Sequence, residues 1–325
     1  LIENGYSYDQ AVLDYQEYLI SQRTKETTIN IYMEALNKFA SIVMKEQVKK
    51  IKQKHFTAFK NSMPTLSSHT VNRKLRSLQT FFNWLHDEGQ IDFPLKIKKS
   101  IAMLRPVRFF SNHEFDLILK NVRKGFPYNE AKIEEEDKEL FINAYRMYRD
   151  TGMRLSEPFD NELLTDGNNY RLQIYGSTTK NSYQRYVHLT ENQAFIIIQM
   201  NDWLVKQLKT RKDRYGVIMV FSRVFAKSLK KAGLTGKLHD LRKTFASRLW
   251  FLTGEEFALC NALGHTDTSM TKQYTALDKV ELANAFPDIA KMRSQGRLED
   301  KTPLRVPKQG DVELYSNFGF LPNKS

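Results

Sequence analysis

The sequence predicts a mainly α protein with a small β-hairpin or sheet (α+β), divided into a helical domain and a mixed domain. Three observations predict this. Apolar residues recur at helical spacing through the first third of the chain and again from Thr190 onward. The period changes only over residues 170–189, where Leu172 and Ile174, then Tyr186 and Val187, flank a polar centre at 176–184 and read as a β-hairpin with a loose turn. Pro94 and Pro106 break the chain into two parts, and 325 residues is the length of two domains at roughly 150 residues each. The expected boundaries are 1–92 for the helical domain, 93–108 for a basic linker, 109–278 for the mixed domain and 279–325 for a C-terminal helix and tail.

In the first domain Ala11, Val12, Tyr15, Tyr18 and Leu19 make one helical face, and Ile29, Tyr32, Leu36, Phe39 and Val43 a second behind the caps Thr27 and Thr28. A short helix covers about 54–62. The strongest helix runs over 68–87, with Val71, Leu75, Leu78, Phe82 and Leu85 on one face and Gly89 stopping it. Arg73, Lys74 and Arg76 fall off that face. They suit either a solvated surface or a basic face set against phosphates. Lys45, Lys49, Lys50, Lys52 and Lys54 carry the same two readings. In the linker Lys96, Lys98, Lys99, Arg105 and Arg108 could track a duplex backbone or serve only a soluble, flexible joint. The second domain begins near Phe109, with a helix at 114–122 and another that starts in the solvated acidic run Glu134, Glu135, Glu136, Asp137 and Glu139 and continues over 140–150. After Tyr274 one helix is expected at 279–285, followed by an extended tail with Pro287, Pro303, Pro307 and Pro322.

Composition narrows the partner. Lys and Arg number 50 against 37 Asp and Glu, a formal charge of +13, the footprint of a protein that meets a polyanion. Residues 1–108 hold 17 basic and 10 acidic residues, so the first third has about twice the charge density of the rest. The single Cys260 excludes a disulfide framework and a cysteine-rich zinc site. No apolar run approaches the roughly 18 residues of a membrane span, and the chain shows no signal-peptide pattern at its start, so a cytoplasmic protein is expected.

Five features in residues 151–275 carry chemistry. Thr151-Gly152-Met153-Arg154-Leu155-Ser156-Glu157 places an arginine after a glycine turn. Thr178-Thr179-Lys180-Asn181 places a lysine in the hairpin turn. His239 and Arg242 are spaced i, i+3 on one helical face. Leu263-Gly264-His265 precedes a polar turn, and Tyr274 follows His265 by nine residues. Singly each has an ordinary structural explanation: a surface cation, a packed histidine, a core tyrosine. Together they describe one chemistry. Two arginines can fork onto the non-bridging oxygens of a phosphodiester and neutralise charge in a five-coordinate transition state without a metal. A histidine can take the tyrosine proton or complete the anion clamp, and a lysine can protonate a departing sugar oxygen.

These motifs resemble the tyrosine recombinases, the phage-integrase family. Thr151 to Glu157 is similar to the family's first arginine box. His239-Asp240-Leu241-Arg242 with Lys243-Thr244-Phe245-Ala246 is similar to the second. Leu263-Gly264-His265 with Tyr274 is similar to the nucleophile segment. Thr70-Val71-Asn72-Arg73-Lys74-Leu75 through Phe81-Phe82-Asn83-Trp84-Leu85 resembles the last helix of the core-binding domain, and Phe109 to Glu114 the start of the catalytic domain. The resemblance implies a helical core-binding domain and a catalytic domain closing as a C-shaped clamp on DNA. It implies Tyr274 as nucleophile forming a 3′-phosphotyrosine, Arg154 and Arg242 on the scissile phosphate, Lys180 as general acid, His239 as acid/base partner, His265 as a further phosphate donor and Glu157 behind them. Spacing alone leaves Lys206 and Lys209 as alternatives to Lys180.

The implied function is site-specific DNA recombination with no cofactor, double-stranded DNA sites as partner, a homotetramer on synapsed DNA, and accessory DNA-bending or directionality factors. Arg73, Lys74, Arg76, Lys98, Lys99 and Arg105 are the implied DNA contacts. The competing readings are a type IB topoisomerase-like enzyme and a non-catalytic DNA-binding protein. The sequence departs from the family at Pro158, directly after Glu157, which places Arg154 just before a helix. It also begins almost at the core-binding domain, so an additional amino-terminal DNA-binding domain is not expected. Val280, Leu282, Ala283 and Phe286 are expected to contact a neighbouring subunit, or else to pack on their own domain.

Overall fold

The computed structural model describes residues 6–44, 46–101, 106–123, 137–176, 184–265 and 271–294. The chain forms two compact units, Leu1–Arg105 and Pro106–Ser325. Lys180, Arg105 and residues 134–136 lie outside the described residues.

The first unit is helical. Helices α1 (Tyr8–Ser21), α2 (Glu26–Val43), α3 (Gln53–Asn61) and α4 (Ser68–Asp87) surround one aromatic-rich core. Ser7 and Ser67 accept from the backbone N–H groups of Gln10 and Thr70 and so cap α1 and α4. Thr27 and Thr28 do not cap α2; they lie inside its first turn, and Lys25 is the N-cap. Phe39 stacks on Phe56 and meets Phe59 and Phe82 edge-on, joining α2, α3 and α4. All five predicted apolar positions of α4 are buried.

Two expectations for this unit are corrected. Lys74 does not belong to a free basic face: it is buried and its Nζ lies 2.6 Å from Glu34 Oε1 on α2, so its charge is already matched. Its neighbours Arg73 and Arg76 are exposed. The first part of the basic segment is not a loose joint either. Gln79 donates to Leu95 O (2.7 Å) and accepts from Ile97 N (3.0 Å), while Asn72 donates to Ser100 O (2.8 Å) and accepts from Ser100 N (2.9 Å). Two amides seven residues apart on α4 thus act as a surrogate strand, and Ile97 enters the core between them. Lys98 and Lys99 stay exposed on this segment.

The second unit contains α5 (Asn112–Arg123), α6 (Asp137–Thr151), the short α7 (Glu157–Asp160), β1 (Glu162–Asp166), β2 (Asn169–Ile174), β3 (Arg185–Leu189), α8 (Glu191–Leu208), α9 (Arg214–Lys231), α10 (His239–Thr253), α11 (Glu256–Leu263), α12 (Lys272–Thr275), α13 (Lys279–Ala285) and α14 (Pro287–Ser294). The strands form an antiparallel sheet in the order β1-β2-β3, with Leu172 opposite both Leu163 and Val187. β1 escaped the sequence pattern because none of its residues is fully buried, so apolar and polar positions do not alternate. α10 runs through the middle of this unit, packed by α6, α11, α12, α13 and α14 and buried on nearly all sides.

The C-terminal helices pack in cis. Leu282, Ala285, Phe286 and Ile289 join Phe109, Phe251 and Leu252 in a core, and Ala283 packs against it; only Val280 of the four proposed inter-subunit residues is exposed. Buried Arg248 on α10 seals the arrangement, donating to Asn112 Oδ1 (3.0 Å) and Asp288 Oδ2 (2.9 Å). Residues 287–294 form α14 where extended chain was expected, and the rest of the expected tail, 295–325, lies outside the described residues. Pro287 opens α14, a position where proline's missing N–H costs nothing.

Replacing Asn72 and Gln79 together by Ala removes the four hydrogen bonds that hold residues 95–100, worth about 0.5–1.5 kcal/mol each. Tryptic cleavage at Lys96, Lys98 and Lys99 should accelerate at least ~10-fold in timed limited proteolysis. Cleavage at the wild-type rate would contradict the clamp.

Candidate active site

The first arginine box is a turn made by glycine. α6 ends at Gly152, whose φ of +65° is the left-handed conformation that L side chains resist, and a Cβ there would come within 2.4 Å of the Phe245 ring on α10. The chain is thereby free to approach α10 closely. Tyr148 Oη donates to Leu155 O (2.7 Å) and fixes the loop beyond. Arg154 follows, half-buried, just ahead of α7, and Pro158 is accommodated in the first turn of that helix.

Glu157 is the hub of this box. Its Oε2 accepts from the Arg154 backbone N (2.8 Å) and its Oε1 from Arg154 Nη1 (2.8 Å). The same two oxygens accept from Arg185 Nη2 (2.8 Å) and Nη1 (3.1 Å). Glu157 is only 4% exposed, so burial alone would raise its pKa; Arg185, then Arg242 and the Arg154 N–H, outweigh burial and hold the carboxyl below its ordinary range. Arg185 was not anticipated from the sequence. It occupies an inward position of β3, where Val187 and Leu189 also point into the core, and a cation at an apolar position of an alternating strand is the signal that marks it.

Arg242 comes from the first turn of α10. Its Nη1 donates to Gly152 O (2.6 Å) and its Nη2 to Leu263 O, so one guanidinium ties the first arginine box to the end of α11. Desolvation, then repulsion by Arg154, lowers its pKa to about 9, which leaves it charged at neutral pH. Three guanidiniums (Arg154, Arg185, Arg242) against one carboxylate (Glu157) leave a net charge of +2 in this cluster. Such a cluster is electrostatically incomplete without an anion.

His239 stands one turn before Arg242, exposed at its edge. Partial desolvation, then the charges of Arg242, Lys237 and Lys243, lower its pKa below 6.5, so the imidazole is neutral at pH 7. Asp240 beside it is buried, accepting from Lys237 N (2.9 Å) and paired with Lys243 (2.9 Å). α11 closes at Gly264, with φ of +62°, and His265 N donates to Cys260 O (3.0 Å), setting the half-buried His265 two residues after Leu263, whose carbonyl Arg242 holds. Tyr274, in α12, is 3% exposed and lies in a core with Phe245, Leu249 and Leu263. Burial pushes its phenol up to about 12, Arg242 pulls it down and Asp240 adds to the rise.

The structure therefore joins Arg154 and Glu157 directly, ties Arg242 to the turn before Arg154 and to Leu263 O near His265, and sets His239 and Tyr274 within electrostatic range of Arg242. Lys206 and Lys209 are exposed at the end of α8. Among the described residues no His, Cys, Asp and Glu group could hold a metal ion, and no helix is long and apolar enough to cross a membrane.

The phage integrase family matches residues 108–281, more than half of the 325 residues. The chain belongs to the phage integrase family, the tyrosine recombinases. The N-terminal SAM-like domain of phage integrases matches residues 12–92, the helical unit. Tyrosine recombinase XerC from Lactobacillus delbrueckii subsp. bulgaricus is 26% identical over 241 residues, covering 68% of this chain and 78% of the relative. A lambda integrase dimer bound to a COC′ core site has a similar fold, with a TM-score of 0.62 and 16% identity over 93% of this chain and 81% of that one. A lambda integrase tetramer bound to a Holliday junction gives a TM-score of 0.61 and 16% identity, covering 86% and 82%.

Removing the Glu157 charge leaves Arg185 buried without a counter-ion, a loss of about 3–5 kcal/mol of stability. Because the folded pKa of Glu157 is lowered, its stabilisation is present above the ordinary carboxyl value of 4.5 and disappears as pH falls through the folded value. Urea unfolding of Glu157→Gln should give a lower midpoint at pH 7 and a shallower loss of stability below pH 4.5 than wild type. A wild-type midpoint at pH 7 would contradict the buried pair.

Proposed function

We propose that this tyrosine recombinase cuts and rejoins double-stranded DNA at a specific site through a 3′-phosphotyrosine intermediate. The supporting observation is the +2 cluster beside a buried tyrosine: a preorganised seat for one phosphodiester with a nucleophile at its edge. Arg154 has one side-chain N–H engaged with Glu157, and Arg242 has two engaged with carbonyls. Each guanidinium carries five N–H donors, so both keep donors for the non-bridging oxygens.

In the proposed step Tyr274 Oη attacks phosphorus and the bond to the 5′ oxygen of the next nucleotide breaks. With its phenol at about 12, Tyr274 is protonated at pH 7 and must lose its proton as it attacks. Neutral His239 is the acceptor within this arrangement. Lys180, carried by the β2–β3 connection, gives the proton to the departing 5′ oxygen, and His265 adds a donor to the phosphate. The new phosphotyrosine ester keeps the bond energy, so a 5′ hydroxyl from a partner strand can reverse the step and reseal DNA without ATP. Exposed Arg73, Arg76, Lys98 and Lys99, with Arg105, are proposed contacts to the duplex backbone, which fix register and carry the salt dependence. We assign the active assembly to a homotetramer on two paired sites within the cytoplasm. The lambda integrase tetramer on a Holliday junction supports this by analogy of fold.

A nicked suicide duplex bearing the element's own end sequence should trap a covalent complex stable to SDS with wild type and none with Tyr274→Phe. Arg154→Ala and Arg242→Ala should lower cleavage by on the order of 10²–10³ while DNA affinity changes little. A proportional fall in affinity would make them general DNA contacts, and equal relaxation of a plasmid without the site would remove site specificity.

The pH profile tests His239 separately. Its folded pKa lies below 6.5, so the neutral base is present above that value and is lost on acidification. Single-turnover cleavage should fall as pH drops below 6.5, and His239→Gln should be slower with this acid limb gone. An unchanged acid limb in His239→Gln would assign it to another group.

A further inference from the structure

We infer that Arg185 is a positioning residue for the phosphate clamp: by occupying both oxygens of Glu157 it lets that carboxylate hold Arg154 in place without cancelling the charge of Arg154. This rests on the recombinase reading of the site.

The arrangement of bonds carries the inference. A carboxylate offers about four lone-pair positions. In Glu157 two are taken by Arg154, through its backbone N and Nη1, and two by the fork of Arg185. Arg154 can thus use Glu157 as a bracket while a second cation supplies the balancing charge. Without Arg185 the cluster would hold two guanidiniums and one carboxylate, a net +1. The buried carboxylate would then draw its whole compensation from Arg154, the arginine proposed to meet DNA.

Burial shows that Arg185 is placed for this and not for DNA. It is 6% exposed, on the inward face of β3 beside Val187 and Leu189, where an apolar side chain would pack without a desolvation cost. Its stem is also gripped from the nucleophile side. A Cβ on Gly264 would come within 2.8 Å of Arg185 Cδ, so the turn that presents His265 fits only while that position is glycine. Arg185 therefore joins β3, the first arginine box and the end of α11. It lies five residues after Lys180, so the same ion pair anchors the strand that follows the proposed general acid.

The test is a charge-balance cycle on single-turnover cleavage of the suicide duplex, with Arg185→Met, Glu157→Gln and the double variant, each also measured for DNA affinity. Arg185→Met should cleave on the order of 10–100-fold more slowly, the loss seen when a partner that orients a ligand is removed from behind it. Its DNA affinity should stay within about twofold of wild type, since a buried side chain makes no phosphate contact. The double variant restores a net +2 and should cleave faster than Arg185→Met and at least as fast as Glu157→Gln. A merely structural arginine would give losses that multiply. Should Arg185→Met fail to fold, the comparison of the double variant with Glu157→Gln decides, and a slower double variant overturns the role. Wild-type cleavage by Arg185→Met also overturns it. Absence of any adduct with wild type overturns the recombinase reading and this role with it.

Discussion

Everything in the catalytic unit turns on one buried carboxylate. Glu157 takes four hydrogen bonds from two arginines on two elements, and among the described residues it is the one carboxylate bonded into the three-guanidinium cluster. Remove it and Arg185 is stranded, Arg154 loses its bracket, and Arg242 loses the nearest attraction that offsets its repulsion. A buried ion pair is ordinarily a poor source of stability. Here its value is positional. It allows cations to crowd closer than they would tolerate alone, and the excess positive charge is what a phosphodiester can satisfy.

The second constraint is the backbone around Arg242. The carbonyls of Gly152 and Leu263 each take one of its donors, so the arginine's position is set by the ends of α6 and α11. Both ends are left-handed glycine caps, and both glycines sit where a Cβ would strike a side chain of this same site, Phe245 in one case and Arg185 in the other. Helix termination, close packing and the seating of the cations are therefore one structural problem. Tyr274 enters from the apolar side of α10, which explains why burial dominates its ionisation and why a neighbouring base and cation are needed for it to react at neutral pH.

Much of this was legible in the sequence, for identifiable reasons. α4 was predicted over its observed range because its apolar period is strong and Gly89 marks its end. The arginines, histidines and tyrosine stand out because their types and spacing, taken together, describe one chemistry. What stayed hidden depended on tertiary partners. Lys74 looked like surface until Glu34 was placed against it. The segment at 95–100 looked loose because its backbone is satisfied by two side-chain amides, which leave no periodic trace. Leu282 and Phe286 are apolar whether they serve a neighbour or their own core, and packing alone settles that they fill their own. Arg185 was missed because a lone arginine in a strand says nothing until the strand's inward face is known.

The central claim is that the guanidiniums act on the charge of the scissile phosphate. The most direct measurement is single-turnover cleavage of a duplex with a methylphosphonate at that one position, which replaces a charged oxygen with a methyl group. On the native phosphate, Arg154→Ala and Arg242→Ala should each lose on the order of 10²–10³ against wild type. On the neutral methylphosphonate the account predicts that this gap shrinks to within about tenfold, because little negative charge is left to stabilise. An equally large gap on both substrates would contradict it, and would mean that the arginines act by shape and not by charge.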